Sequence, residues 1–438
     1  MGISQGVPAE GPGARAFDAV IVGGGIIGLS VAWRASLRGL DVAVADPAPG
    51  SGASHAAAGM LAPVSEVSYT EEPLLRLGLA SLARWPAFAA ELEEAAGRDV
   101  DLRGEGTLDV AFGADDMAAL GELAAFMDKL GLPVERLTGR EARRLEPMLA
   151  PSVRGGLLAG GDSWVDPRRV TAALLAALAA RGVPLLRERV TGLDVTGGEV
   201  RGVRLAPPSS SAGPGSGLRR TPAGLTGGTG DPWAAAETAL GGPHGDAGGL
   251  PAGPGTAERV VRARRVVVAL GAWAGVLAGV PPELVPPVRP VKGQIMRLRS
   301  AEPLLGRCVR GSVHGSSVYL VPRRDGELVV GATQEELGFD DRVTAGAVWE
   351  LLRDARELVP GVTELEVADV VAGLRPGTPD NLPLIGPTAL PGLHLATGHH
   401  RGGVLLAPLT AELVAGTLAG DGPEIPPACS PTRFEDIA

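Results

Sequence analysis

The sequence predicts an α/β fold, and three observations carry that expectation. A βαβ pattern opens the ordered chain at "FDAVIVGGGIIGLSVAWRASLRGLDVAVAD", and "VYLVPRRDGELVVGAT" is a hairpin signal around Asp325-Gly326. The length, 438 residues, suits two domains or one large domain with an elaboration. Hydrophobic residues at 45% and charged residues at 21% are those of a soluble globular protein with ample core. A net charge of -10 argues against a phosphate-backbone partner. No apolar run reaches about 18 residues, so no membrane span is expected. Cys308 and Cys429 form neither a CxxC pair nor a disulfide framework, and the cytoplasm is the default compartment.

The first stretch, 1–16, lacks an apolar signal region and reads as a disordered tail. The run Ala19 to Val22 then meets a glycine cluster, a segment of helical spacing, and a second apolar run ending at Asp46. From about Glu71 to Leu145 the chain reads as largely helical. In "DPRRVTAALLAALAARGVPLL", Asp166 can cap, Pro167 fits the first helical position and Gly182 stops the helix. "RRVVVALGAWAG" is a buried strand leading into a glycine turn at Gly271. Between 206 and 256 the composition shifts to Pro, Gly, Ser, Thr and Ala, too poor in large apolar groups to offset ordering entropy. Strand-like sequence on both sides makes this a flexible insertion in a hairpin connection. Towards the end, "HLATGHHRGGVLLAPLTAELVAGTLAG" passes from a strand through a Gly/His/Arg turn into a helix.

Within the first unit, Gly23-x-Gly25-x-x-Gly28 fits the dinucleotide fingerprint. Gly23 permits the turn, Gly25 admits a pyrophosphate close to the backbone, and Gly28 allows helix and strand to touch. Asp46 ends the second strand, where it can accept from ribose hydroxyls and argues against a 2′-phosphate. FAD and NAD both remain open on this fingerprint. "GSGASHAAAGMLAP", Gly50 to Pro63, marks either a tight helix-helix contact or a backbone laid against a flat ring system. "GLRPGTPDNLPLIG", Gly373 to Gly386, reads as a stiff loop whose prolines exclude a helix and which holds one cation, Arg375, for an anion.

Five stretches, "VIVGGGIIG", "SHAAAGML", "VYLVPRRDGELVVGAT", "AGLRPGTPDNLPLIG" and "GHHRGGVLLAP", occur in the order found in the D-amino acid oxidase superfamily of flavoproteins. The chain resembles that superfamily, and within it the glycine oxidases of the thiamine pathway. The resemblance implies a Rossmann-type FAD-binding domain over 17–85, 150–283 and 362–430. It also implies an α+β substrate domain on an antiparallel sheet over 86–149 and 284–361. By the same resemblance, Ile26, Ile27, Asp46 and Pro47 bind the adenosine half of FAD, Val190 sits by the adenine, and Gly271 belongs to the cofactor site. Ala53, Ser54, Ala58, Gly59 and Met60 line the flavin, and the loop His399, His400, Arg401, Gly402, Gly403, Val404 and Leu405 closes over it. Gly402 and Gly403 would set backbone N–H groups at a helix start, where they favour negative charge on the flavin. The two cysteines lie outside any motif for covalent attachment, so noncovalent FAD is expected.

For the substrate, the resemblance pairs Arg375 with an amino acid's carboxylate, assisted by Tyr319 and Arg401, with Met60 at the same site. The residue after "VGAT" is a methionine bordering the substrate in the glycine oxidase pattern; here it is Gln334. That change leaves glycine, sarcosine and small D-amino acids open. The implied reaction is amine oxidation by hydride transfer to flavin N5, with dioxygen as acceptor, giving a 2-oxo acid (glyoxylate), ammonia and hydrogen peroxide. Alternatives are a sarcosine or D-amino acid oxidase, an amino acid dehydrogenase, or a flavin- or NAD-binding module devoted to protein contact. No nucleophile triad and no metal-ligand spacing is seen, and His399-His400 reads as loop structure. A homo-oligomer is expected from the same resemblance.

Overall fold

The computed structural model describes residues 16–207, 258–313 and 315–437. The predicted tail and nearly all of the predicted insertion lie outside these. Two eight-stranded sheets and a small two-stranded one, Met60–Leu61 with Ser163–Trp164, are present among the described residues. In the first, the strand Phe17–Val22 lies between Val42–Ala45 and Arg259–Val268, parallel to both, and Leu393–Thr397 continues the parallel order. The segments Ala19–Val22, Val42–Ala45 and Val266–Val268 are buried on both faces, which is why they read as unbroken Val/Ile/Ala runs and do not alternate. The helices Ile26–Leu37, Pro167–Ala180 and Ala407–Ala419 cover one face. Asp166 caps its helix by accepting from Arg168 N–H at 2.9 Å, with Pro167 in the first turn. The strands Glu199–Ala206 and Arg259–Val268, which flank the insertion, pair antiparallel as a hairpin connection requires.

The second sheet runs Glu366–Gly377, Arg289–Arg299, Glu327–Gly331, Ser316–Pro322, Cys308–Val313, Thr107–Ala111, Gly155–Ala159, Glu135–Thr138. Its pairs are antiparallel except Cys308–Val313 with Thr107–Ala111. Alternation along the strands divides the sheet into two faces. One buries Leu108, Val309, Leu320, Val330 and Met296 in the core that includes Leu351 and Leu358 of the helix Ala345–Leu358. The other carries Asp109, Arg310, Tyr319, Gly331 and Ile295, aligned across five strands.

Several boundaries differ from those read in the sequence. Thr107–Ala111 and Glu135–Thr138 are strands inside a stretch that reads as helical. Gly155–Ala159 and Glu366–Gly377 fall within the segments assigned to the cofactor domain, yet both pair in the second sheet. Alternation identifies a strand, but its partner is chosen by contacts distant in sequence. The helix Trp85–Ala96, assigned to the substrate domain, packs Trp85 and Phe88 into the first core, with Phe88 edge-on to Trp33 at 5.2 Å. Finally, Arg375 stands on a strand and not on a loop. That strand is the sheet's edge, where Pro376 is tolerated because a missing N–H costs no ladder bond on the open side. Among the described residues, no helix is long and apolar enough to cross a membrane.

Candidate active site

A cavity of about 1490 Å³ lies between the two sheets, larger than the roughly 300–1,000 Å³ usual for small-ligand sites. One end is built by the first βαβ turn. Gly23 takes φ +110°, open to glycine alone at low cost, and a side chain there would strike the Ala269 carbonyl. Asp46 fastens the turn: its Oδ2 accepts from Gly24 N–H at 2.6 Å and its Oδ1 from Ala48 N–H at 2.7 Å. Gly23, Gly25, Ile26, Ile27, Asp46, Pro47, Val190 and Gly271 all face the cavity. Gly28 does not; it presses on the Gly23 carbonyl, the packing role its place in the fingerprint implies.

The next wall is the small-residue segment. The short helix Ala53–Ala56 packs on Gly373 of the edge strand, and Ala53, Ser54, Ala58, Gly59 and Met60 line the cavity. Ser54 Oγ also accepts from Ile26 N–H at 2.9 Å, joining this wall to the glycine turn. Behind the wall stand three arginines without a role in the sequence motifs, Arg168 and Arg323 within the helix and hairpin stretches quoted above and Arg297 outside them. Arg168 Nε donates to the His55 carbonyl at 3.0 Å, Arg297 Nη2 to that of Ala57 at 3.2 Å, and Arg323 Nη2 to that of Ala58. Arg297 and Arg323 are fully buried. These three carbonyls are thereby drawn to the side away from the cavity, and small apolar groups are left facing it. A signal for this existed in the sequence: Arg297 interrupts the apolar run "QIMRLRS". A glycine turn at a helix N-terminus, an acid at the strand end and a wall of small residues together fit FAD.

Gly59, at φ +82°, has no room for a side chain against the Val165 carbonyl and the Pro167 ring. Gly59→Ala is expected to cost more than about 1 kcal/mol in backbone strain. A thermal midpoint lowered by several degrees, together with weaker FAD retention, will check this; an unchanged melt with full flavin content will count against it.

At the other end, Arg375 and Tyr319 meet. The Arg375 guanidinium lies over Gly293 and the Tyr319 ring over Gly331, positions where a Cβ would collide with them. The two glycines let both planar groups lie flat on the neighbouring strands. Arg375 Nη1 donates to the Thr333 carbonyl at 3.2 Å, and no carboxylate among the described residues pairs with it. Burial pushes the Tyr319 phenol up, and Arg375 beside it pulls in the opposite direction. Gln334, directly after Thr333, also faces the cavity.

The closing loop departs from expectation in two respects. Arg401, read as a second partner for the carboxylate, is already paired with Glu71, whose Oε1 also accepts from Asn381 Nδ2 at 2.7 Å. Burial alone would raise the Glu71 carboxyl, but hydrogen bonds from Arg401 and Asn381 hold it below its usual value. Moreover, the helix begins only at Ala407. The preceding turn uses the Gly402 N–H internally, donated to the His399 carbonyl at 2.9 Å, so of the two glycines Gly403 alone faces the cavity. Leu405 is likewise outside it: its carbonyl accepts from Ser81 Oγ at 2.7 Å and Trp85 Nε1 at 3.0 Å, anchoring the loop from behind. His399, His400, Arg401 and Val404 do line the cavity. Burial draws His399 down to about 3 and, with the charges of Arg401 and Arg375, draws His400 down to about 4. Both rings are neutral at pH 7. Among the described residues no cluster could hold a metal ion.

One further pair at the cavity escaped the motif reading. Asp109 and Arg310, on adjacent strands, both face it.

Comparison with known proteins agrees with this geometry. The family model "DAO: FAD dependent oxidoreductase" matches residues 18–225 and 236–417. A glycine oxidase of Geobacillus kaustophilus is 35% identical over 402 residues, covering 91% of this chain and 92% of that protein. The bifunctional protein ThiO/ThiG of Trichormus variabilis is 31% identical over 91% of this chain, which spans only 52% of that longer protein. The crystal structure of glycine oxidase from Geobacillus kaustophilus superimposes with a TM-score of 0.77 at 32% identity, covering 95% of this chain and 99% of that one. The chain belongs to the DAO family of FAD-dependent oxidoreductases.

Proposed function

We propose that this protein is an FAD-dependent oxidase of glycine and other small amines, giving glyoxylate or another 2-oxo acid, ammonia and hydrogen peroxide. The observation that carries this reading is the Arg375–Tyr319 pair, laid flat on Gly293 and Gly331 at one end of a cavity whose wall is Ala53 to Met60. Arg375 offers a planar fork suited to a carboxylate, and Tyr319 adds a directed O–H donor. Anchoring the carboxylate there orients the substrate's α-carbon towards the small-residue wall, so positioning supplies much of the rate. Bound FAD supplies the two-electron acceptor, held without a covalent bond; neither cysteine lines the cavity. The Arg401–Glu71 pair holds the closing loop in place over the site. The relatives named above support thiazole supply for thiamine as the setting.

The test is anaerobic titration of the purified holoprotein with glycine, sarcosine and D-alanine, following the flavin absorption band. Bleaching by glycine is expected, and no bleaching by any of the three would overturn the reading. Gln334 favours keeping sarcosine and small D-amino acids in the panel. Stoichiometric peroxide on admitting air separates an oxidase from a dehydrogenase.

A further inference from the structure

The part of the cavity bordered by Ser65, Glu66, Asp109, Arg310 and Ser317 is a polar chamber that shares its sheet face with Tyr319. Arg310 stands directly opposite Tyr319 on one neighbouring strand and opposite Asp109 on the other, so the three side chains share one face of the sheet in an unbroken row. Arg310 Nε lies 3.2 Å from Asp109 Oδ2, and its Nη1 donates to the Ser65 carbonyl at 2.9 Å. The side chains of both partners are mostly shielded, at 19% and 14% exposure. The charges of Glu66 and Asp109 both act on Arg310. An arginine facing a ligand cavity would ordinarily invite an anion; here a carboxylate already occupies it.

We propose that the Asp109–Arg310 pair is a specificity determinant that closes this chamber to a second carboxylate, so that the site takes monocarboxylic amines and rejects dicarboxylic ones. The inference rests on the reading of Arg375 and Tyr319 as the carboxylate anchor. A substrate held there has its remaining substituent within the cavity that the row Tyr319, Arg310, Asp109 borders. A neutral small group meets a satisfied ion pair and two serines. A second carboxylate meets Asp109 and Glu66 with Arg310 already engaged, and like charges at short range repel. The sheet could have used an apolar pair at these positions, as it does on its opposite face with Val309 and Leu108.

The experiment compares acetate with malonate as non-reacting ligands, read by the spectral perturbation of bound flavin. The wild-type holoprotein is expected to bind malonate at least about tenfold more weakly than acetate. Asp109→Asn, which keeps a hydrogen-bond acceptor for Arg310 and removes the charge, is expected to raise the malonate-to-acetate affinity ratio at least about tenfold. Adding Arg310→Met to it should abolish that gain. A merely structural pair would move both ligands together and leave the ratio unchanged, which would overturn the proposal. Should Asp109→Asn lose its flavin, the wild-type ratio decides by itself, and Glu66→Gln, at a half-buried position, offers a second charge removal. Equal wild-type affinity for the two ligands would also overturn it. Failure of glycine to bleach the flavin is a separate outcome, because the ligand comparison requires only bound flavin and the anchor.

Discussion

Arg375→Lys will raise the apparent dissociation constant for glycine by roughly ten- to a hundredfold while leaving flavin content intact. The substitution keeps the positive charge but loses the planar fork. The neighbouring strand is shaped for that fork: Gly293 stands bare directly beneath the guanidinium, where any side chain would collide with it. A lysine ammonium, whose donors all sit on one nitrogen, cannot offer two parallel N–H groups to the two carboxylate oxygens, so one charged hydrogen bond of about 1.5–3 kcal/mol is forfeited. That range corresponds to the expected loss of affinity. Arg375 touches carbonyls of Lys292 and Thr333 and none in the first βαβ turn, so cofactor retention has no reason to change. The check is the half-saturation of anaerobic flavin reduction by glycine. Near-normal apparent affinity would remove Arg375 from the anchor role.

How much of this was legible beforehand follows from the range over which each feature is determined. The first βαβ turn is local: Gly23, Gly25, Gly28 and Asp46 lie within one short segment, and each stands where its spacing placed it. The helix after Asp166 is local for the same reason. Pairing is not local. Gly155–Ala159 is not singled out by the sequence and the end of Glu366–Gly377 reads as a loop, and only contacts far along the chain assign both to the second sheet. Arg401 illustrates the same limit at the site. Its position in the loop was readable, but Glu71, more than three hundred residues earlier, takes the charge that a substrate was expected to meet. Of the arginines behind the wall only Arg297 was legible as an anomaly, a charge inside an apolar run; Arg168 and Arg323 read as ordinary helix-start and hairpin residues. Their partners are backbone carbonyls, which no sequence pattern displays.

Those arginines make the sharpest contrast between stability and cofactor binding, because two of them hold adjacent carbonyls with different electrostatic surroundings. Arg297 is paired with Glu327, a carboxylate that is itself only 12% exposed. Arg297→Met leaves that carboxylate buried with Arg299 as its remaining charged neighbour, at 3.9 Å. Breaking a buried pair in this way costs about 3–5 kcal/mol, so the apoprotein's thermal midpoint will fall by many degrees. Arg323 has no carboxylate within ion-pair distance among the described residues, and its Nε and Nη1 lack hydrogen-bond partners there. Burial accordingly pulls its guanidinium below the usual value, with the charge of Arg297 acting in the same direction. Arg323→Met therefore removes a buried charge that has no ion-pair partner, only the more distant charges of Asp166 and Glu327, along with one charged hydrogen bond, two effects of opposite sign and each of a few kcal/mol. The apoprotein's midpoint is expected to stay within a few degrees of the wild type. The Ala58 carbonyl, however, loses its tether beside Gly59 and Met60, and the cavity wall is no longer fixed. FAD affinity is expected to drop about tenfold, equivalent to roughly 1.4 kcal/mol of lost preorganisation. Differential scanning of the two apoproteins and fluorescence titration with FAD will read the two quantities independently. If Arg323→Met melts as low as Arg297→Met, Arg323 is an ordinary structural cation; if it binds FAD as tightly as the wild type, the carbonyl tether has no bearing on the cofactor wall.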